Sequence, residues 1–202
     1  MKIDRLIEKV RERLAERKRL KNLSFPLKRP VVKVGHGTYF NHATVYAWHE
    51  DDIFEVGSYC SIADDVVFLL GGEHFKDHVT TWPWYDFLDK AKGDRQLKNT
   101  SKGQVKVGND VWVGHGALIL SGVELATGTV VGAGAVVTKS TPPYAVVAGN
   151  PAKIIKFRFD QETIEGLLAS RWWKMKPEEL SKLYDLMDHP VEFYKRLITE
   201  SA

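Results

Sequence analysis

Cysteine is almost absent from this chain, with Cys60 standing alone in 202 residues. It cannot close an internal disulfide and offers no thiolate cluster, so a disulfide-stapled scaffold and a cysteine-ligated metal fold are both excluded. Long apolar runs are missing too. The longest, such as Val66 to Leu70, fall far short of the roughly 20 residues that cross a bilayer, which argues against integral membrane association. The start, Met1-Lys2-Ile3-Asp4-Arg5, lacks an apolar stretch followed by a small-residue cleavage site, so export is unsupported and a cytoplasmic location is expected. A dominant charge of one sign is also lacking. The formal net charge is +3, and residues 1 to 22 hold nine Lys/Arg against four Asp/Glu, which leaves the remainder slightly acidic. A nucleic-acid surface spread over the body is therefore not expected.

What is present is a 44% hydrophobic, 27% charged composition that supports a packed core, at a length suited to one domain with an appendage. Residues 1 to 22 place Ile3, Leu6, Ile7, Val10 and Leu14 at three-and-four spacing, the mark of an amphipathic helix. Its polar face mixes Glu8, Glu12 and Glu16 with basic residues, which favours docking on protein over binding to anionic lipid.

From Val107 a strict period of six begins. First positions are Val107, Val113, Ile119, Leu125, Val131 and Val137, and fifth positions are Val111, Ala117, Val123, Thr129, Ala135 and Thr141. All of the first set are aliphatic and all of the second are small or β-branched. Two inward-facing ranks at this spacing specify short flat strands joined by tight corners, wound around a triangular prism. Three hexads make one coil, and the first-position side chains stack about 4.8 Å apart along its axis. Val34, Val56 and Ile62 lead earlier hexads of the same kind. The beat fails between Phe68 and Val107, whose separation of 39 is not a multiple of six. Residues 71 to 104 are therefore read as an excursion from the prism, and such excursions tend to carry function. The prism is expected over 31–157. A helical region should follow over 158–202, with Asp160 capping a first helix, Pro177 opening a second through Met187, and a short last helix over Val191–Leu197.

A hexapeptide prism interrupted by a His-bearing loop and closed by Ala148-Gly-Asn-Pro-Ala-Lys153 resembles the left-handed β-helix acyltransferases. Within them it is most similar to the xenobiotic acetyltransferases, the group of the streptogramin and hexapeptide-type chloramphenicol enzymes. The residues that carry the resemblance are Tyr59-Cys60-Ser61-Ile62, the His loop with Trp82-Pro83-Trp84, Gly108-Asn-Asp-Val-Trp-Val-Gly114, and Arg158-Phe159-Asp160 leading to Trp172-Trp173. It spans roughly residues 31 to 185. It implies a left-handed parallel β-helix, a homotrimer with acetyl-CoA between neighbouring prisms, and no metal.

The reaction so implied moves an acetyl group from a thioester to a hydroxyl or amine of a small acceptor, either a xenobiotic or a sugar derivative. It needs a base for the attacking group. His74 matches the position of the family's catalytic histidine, and a neutral imidazole suits the task. The family usually places Asn before that histidine, where this chain has Glu73; Glu73 or Asp77 is the candidate to orient the ring. The resemblance maps coenzyme contacts onto Trp112, Ala133, Thr138, Lys139, Lys153 and Lys156. Trp112 adds its own argument, because a sixth-position indole points outward and has no prism core to fill. Trp82, Trp84 and Tyr85 are candidates for an aromatic acceptor wall, whereas Trp172 and Trp173 suit an anchoring role. Two other readings are kept. His74 and His78, four apart, admit a metal-dependent prism enzyme of the γ-carbonic anhydrase type, and the N-terminal helix admits a non-catalytic assembly module.

Overall fold

Side chains at the first and fifth hexad positions have only one dry place to go, and a computed structural model, which describes residues 20–84 and 101–200, puts them there. All six first positions from Val107 to Val137 are at most 3% exposed, and of the fifth positions only Thr141 exceeds 2%. At roughly 1.5–3 kcal/mol for each fully buried aliphatic side chain, this column is the main favourable term in the fold. The proposed N-terminal helix, up to residue 19, and Tyr85 lie outside the described residues.

Three sheets form the faces. The first stacks β1 (Leu23–Ser24), β4 (Ala43–Tyr46), β7 (Val66–Leu69), β10 (Leu118–Ile119) and β13 (Val136–Val137). The second stacks β2 (Val31–Val34), β5 (Ile53–Val56), β8 (Val105–Val107) and β11 (Glu124–Leu125). The third stacks β3 (Tyr39–Phe40), β6 (Ser61–Ile62), β9 (Trp112–Val113), β12 (Val130–Val131), β14 (Ala145–Gly149) and β15 (Ala152–Phe157). The chain visits the faces in rotation, and every pairing between named strands is parallel except the closing β14–β15 hairpin. This is a parallel β-helix.

Register accounts for the broken period. Glu124 sits on Lys106, Val130 on Trp112 and Val136 on Leu118, each eighteen residues along, or three hexads. Across the excursion Lys106 sits on Glu55, Trp112 on Ser61 and Leu118 on Val67, each fifty-one residues along. That is three hexads plus the chain that leaves after β7 and returns at β8. The prism also begins earlier than residue 31, because Leu23 pairs with Ala43.

The C-terminal region packs as a separate small core of Tyr144, Ile164, Leu167, Leu180, Phe193 and Tyr194 against the prism wall. Asp160 caps α1 (Gln161–Ser170) by accepting from Thr163 N–H at 2.8 Å, as its position predicts. Trp172 anchors the region, its ring 5.4 Å from Tyr59 on a prism corner and 6.3 Å from Phe193. The second expected helix is shorter than the pattern suggests. Only α2 (Pro177–Leu180) is α-helical, followed by a 3-10 segment, Ser181–Leu186, that leaves helical geometry at Leu183. Leu180 enters the core and Leu183 and Leu186 pack against it beyond the kink, whereas Tyr184 is 77% exposed. The last helix, α3 (Pro190–Glu200), is longer than expected. Among the described residues no helix is long and apolar enough to cross a membrane.

Candidate active site

The excursion leaves β7 through Leu70 and Gly71 and turns at Gly72, whose φ is +86° and whose Cα faces the Trp48 indole so closely that any Cβ would enter the ring. Only glycine fits there. Glu73 follows, its Oε1 accepting a short hydrogen bond from the hydroxyl of Ser121 at the corner between β10 and β11. His74 comes next and projects into the open. Its Nδ1 lies 2.6 Å from the carbonyl oxygen of Thr81. A carbonyl only accepts, so Nδ1 carries the hydrogen, and in the neutral ring Nε2 is left as an exposed acceptor. The group at Nδ1 is thus a backbone carbonyl, held in a turn where Trp84 N–H donates to Trp82 O at 2.8 Å.

Glu73, His74, Asp77, Ser101 and Lys102 line a cleft of about 130 Å³. Asp77 is exposed within it. His78 stacks on Phe75 at 4.4 Å, away from the Nδ1 contact of His74. Among the described residues no group of three or more His, Cys, Asp or Glu is placed to hold a metal. Trp82 is about half exposed and Trp84 is partly buried in the same loop.

Three of the six coenzyme candidates come together. Thr138, Lys139 and Lys153 line a groove of about 400 Å³ at the far end of the prism, with Val137, Ala152 and Ile154 as its apolar side. Two ammonium groups over an apolar floor match a phosphate-bearing ligand with a thin apolar arm. Trp112 and Lys156 lie on the third sheet in one cross-strand row through Val130 and Val146. The Trp112 indole is 58% exposed. Ala133 stands at the adjoining corner, its backbone pressed on Gly114, where an added Cβ would sit 2.7 Å from Ala133 N. The imidazole, however, rises from the corner between the first and second sheets. A single chain therefore does not gather His74 and the third-sheet residues in one cleft.

Charge elsewhere is structural. Arg158 donates to Asp110 at 2.8 Å and to the Gly128 carbonyl at 2.9 Å, with its guanidinium over the Tyr144 and Phe159 rings. Burial pushes the Asp110 carboxyl up from its usual range, against the opposing pull of Arg158. Burial likewise pushes the Cys60 thiol up to about 12. Thr81 and Ser121 escaped the sequence reading. Thr81 acts through its main chain, which leaves no side-chain signal, and Ser121 occupies a hexad position that tolerates many residues.

The hexapeptide family model, "Bacterial transferase hexapeptide (six repeats)", matches residues 104–139. A chloramphenicol acetyltransferase of Klebsiella aerogenes is 35% identical over 175 residues, covering 79% of this chain and 83% of that protein. A probable macrolide acetyltransferase of Lysinibacillus sphaericus is 39% identical over 131 residues, 62% of this chain and 71% of that one. Among solved structures, a galactoside acetyltransferase in complex with coenzyme A aligns with TM-score 0.50 and 26% identity, over 69% of this chain and 66% of that one.

Proposed function

Because the chain belongs to the hexapeptide-repeat xenobiotic acetyltransferases, the family of the chloramphenicol acetyltransferases it matches over most of its length, we propose that His74 is the general base of its acetyl transfer. The chain is an acetyl-CoA-dependent acetyltransferase. The observation that carries the base assignment is the His74 Nδ1 to Thr81 carbonyl contact, which turns Nε2 outward as a proton acceptor. Nε2 takes the proton of the acceptor's hydroxyl or amine as that atom attacks the thioester carbonyl carbon. The tetrahedral intermediate then collapses, the C–S bond breaks, and the imidazolium returns the proton to the coenzyme thiolate. The Thr81 carbonyl stabilises the imidazolium in between, through a hydrogen bond that strengthens as the ring charges.

The groove of Lys139, Lys153 and Thr138 suits the coenzyme's phosphates, and the exposed Trp112 and Lys156 extend the contact surface along the third sheet. Because Trp112 and Lys156 lie on the third sheet while His74 rises from the corner between the first and second, a site using both is completed by a neighbouring chain, and a homotrimer is the closed assembly that repeats such a contact. Trp82 and Trp84 beside the base favour a ring-bearing acceptor, in keeping with relatives named for chloramphenicol and for a macrolide, two dissimilar molecules.

The test is free-thiol release from acetyl-CoA with chloramphenicol, a macrolide and a galactoside as acceptors. His74→Ala should lower turnover by about 10²-fold or more with acetyl-CoA binding retained; an unchanged rate removes His74 from the chemistry.

A further inference from the structure

We infer that Ser121, through its hydrogen bond to Glu73, is a positioning residue for His74. The inference rests on the reading of His74 as the base and adds a part of the site that no motif carries.

Ser121 is 4% exposed and stands on the rigid corner between β10 and β11. Its hydroxyl donates to Glu73 Oε1, and Glu73 is the residue immediately before the imidazole. The same corner receives the returning arm of the excursion, where Gly122 N–H donates to the Gly103 carbonyl at 3.0 Å. The two arms are tied to each other by Ser101, whose hydroxyl donates to the Leu70 carbonyl at 2.7 Å. On the other side Gly72 is seated against the Trp48 indole. The backbone that carries His74 is thus fixed by the prism one and two residues before the ring, while the ring itself is held from the far side of the loop by Thr81. A loop anchored at one point pivots; one anchored on two sides of the reacting group does not.

The experiment compares wild type with Ser121→Ala, Glu73→Ala, Glu73→Gln, the double Ser121→Ala/Glu73→Ala variant and His74→Ala, using acetyl-CoA and chloramphenicol as the probe pair. Ser121→Ala and Glu73→Ala should each lower kcat roughly 10- to 100-fold, the scale of a displacement near 1 Å, with KM for acetyl-CoA unchanged. Glu73→Gln keeps the oxygen acceptor and should retain most of the rate. The double variant should be no worse than either single, since both remove one bond. A second readout needs no acceptor: imidazole ¹⁵N NMR should report the Nδ1–H tautomer of His74 in wild type and in Glu73→Gln, and a mixture of tautomers in Ser121→Ala. Wild-type kinetics together with an unshifted tautomer in Ser121→Ala overturns the inference. If His74→Ala keeps full activity, the base assignment fails instead, and the NMR comparison still decides whether Ser121 places the ring.

Discussion

Cys60 and the Asp110–Arg158 pair show how position in the prism sets the behaviour of a single side chain. Cys60 fills a fifth position at 0% exposure, and its thiol donates toward the Gly108 carbonyl at 3.1 Å. With its titration pushed up to about 12 by burial, almost no thiolate exists at neutral pH, and thiolate is the reactive form. A colorimetric disulfide reagent should therefore find no thiol in the folded protein and one per chain after denaturation; immediate labelling would contradict the packing. Asp110 is the opposite case, a carboxyl whose charge burial opposes and Arg158 supports. Its folded carboxyl titrates above its unfolded value of 3.8, so its contribution to stability is complete below that value and is lost as pH rises through the folded one. Arg158 limits that loss. Arg158→Met should cost about 2 kcal/mol at neutral pH, between an exposed pair and a fully buried one because both side chains keep about a quarter of their exposure. The deficit should shrink toward about pH 4, and urea unfolding at both pH values measures it. A deficit independent of pH would assign the effect to lost stacking on Tyr144 and Phe159.

Among the elements, the corners tolerate less change than the strands. Gly108 begins a corner stacked on the next coil, and a Cβ there would lie 2.6 Å from the amide nitrogen of Thr127. Two backbones cannot separate without opening a coil, so Gly108→Ala should cost about 1–3 kcal/mol, read as a lower denaturant midpoint with unchanged slope. An outward strand position such as Lys106, exposed on β8, should accept alanine with almost no change. The same contrast explains which elements were legible. The hexads announce strands and corners together because each first-position aliphatic must face inward. The Leu180–Met187 stripe announced a helix that the structure ends after one turn, the chain leaving helical geometry at Leu183 so that Leu183 and Leu186 still reach the core while Tyr184 stays exposed.

For the whole molecule, the exposed third-sheet surface carries the argument. Trp112, Ile155 and Phe157 are about half exposed or more on one chain, which is uncommon for large apolar groups on a monomer's flat sheet face. Analytical ultracentrifugation should return three times the chain mass, and Trp112→Asp should shift the distribution toward smaller species or weaken acetyl-CoA binding; a monomer with full activity would contradict a shared site. The six-residue beat by itself determined the parallel prism, its two inward ranks and the place of the excursion, because a periodic sequence leaves its apolar side chains only one dry direction; the candidacy of His74 came from resemblance. The beat is silent on the hand of the winding, which came from resemblance. Tertiary structure alone decided what holds the imidazole. Thr81 and Ser121 reach that site from seven and forty-seven residues away, one through a main-chain carbonyl common to every residue and the other through a corner hydroxyl whose partner is set by the path of the loop. Contacts of that kind depend on distance in space, and no spacing along the chain encodes them.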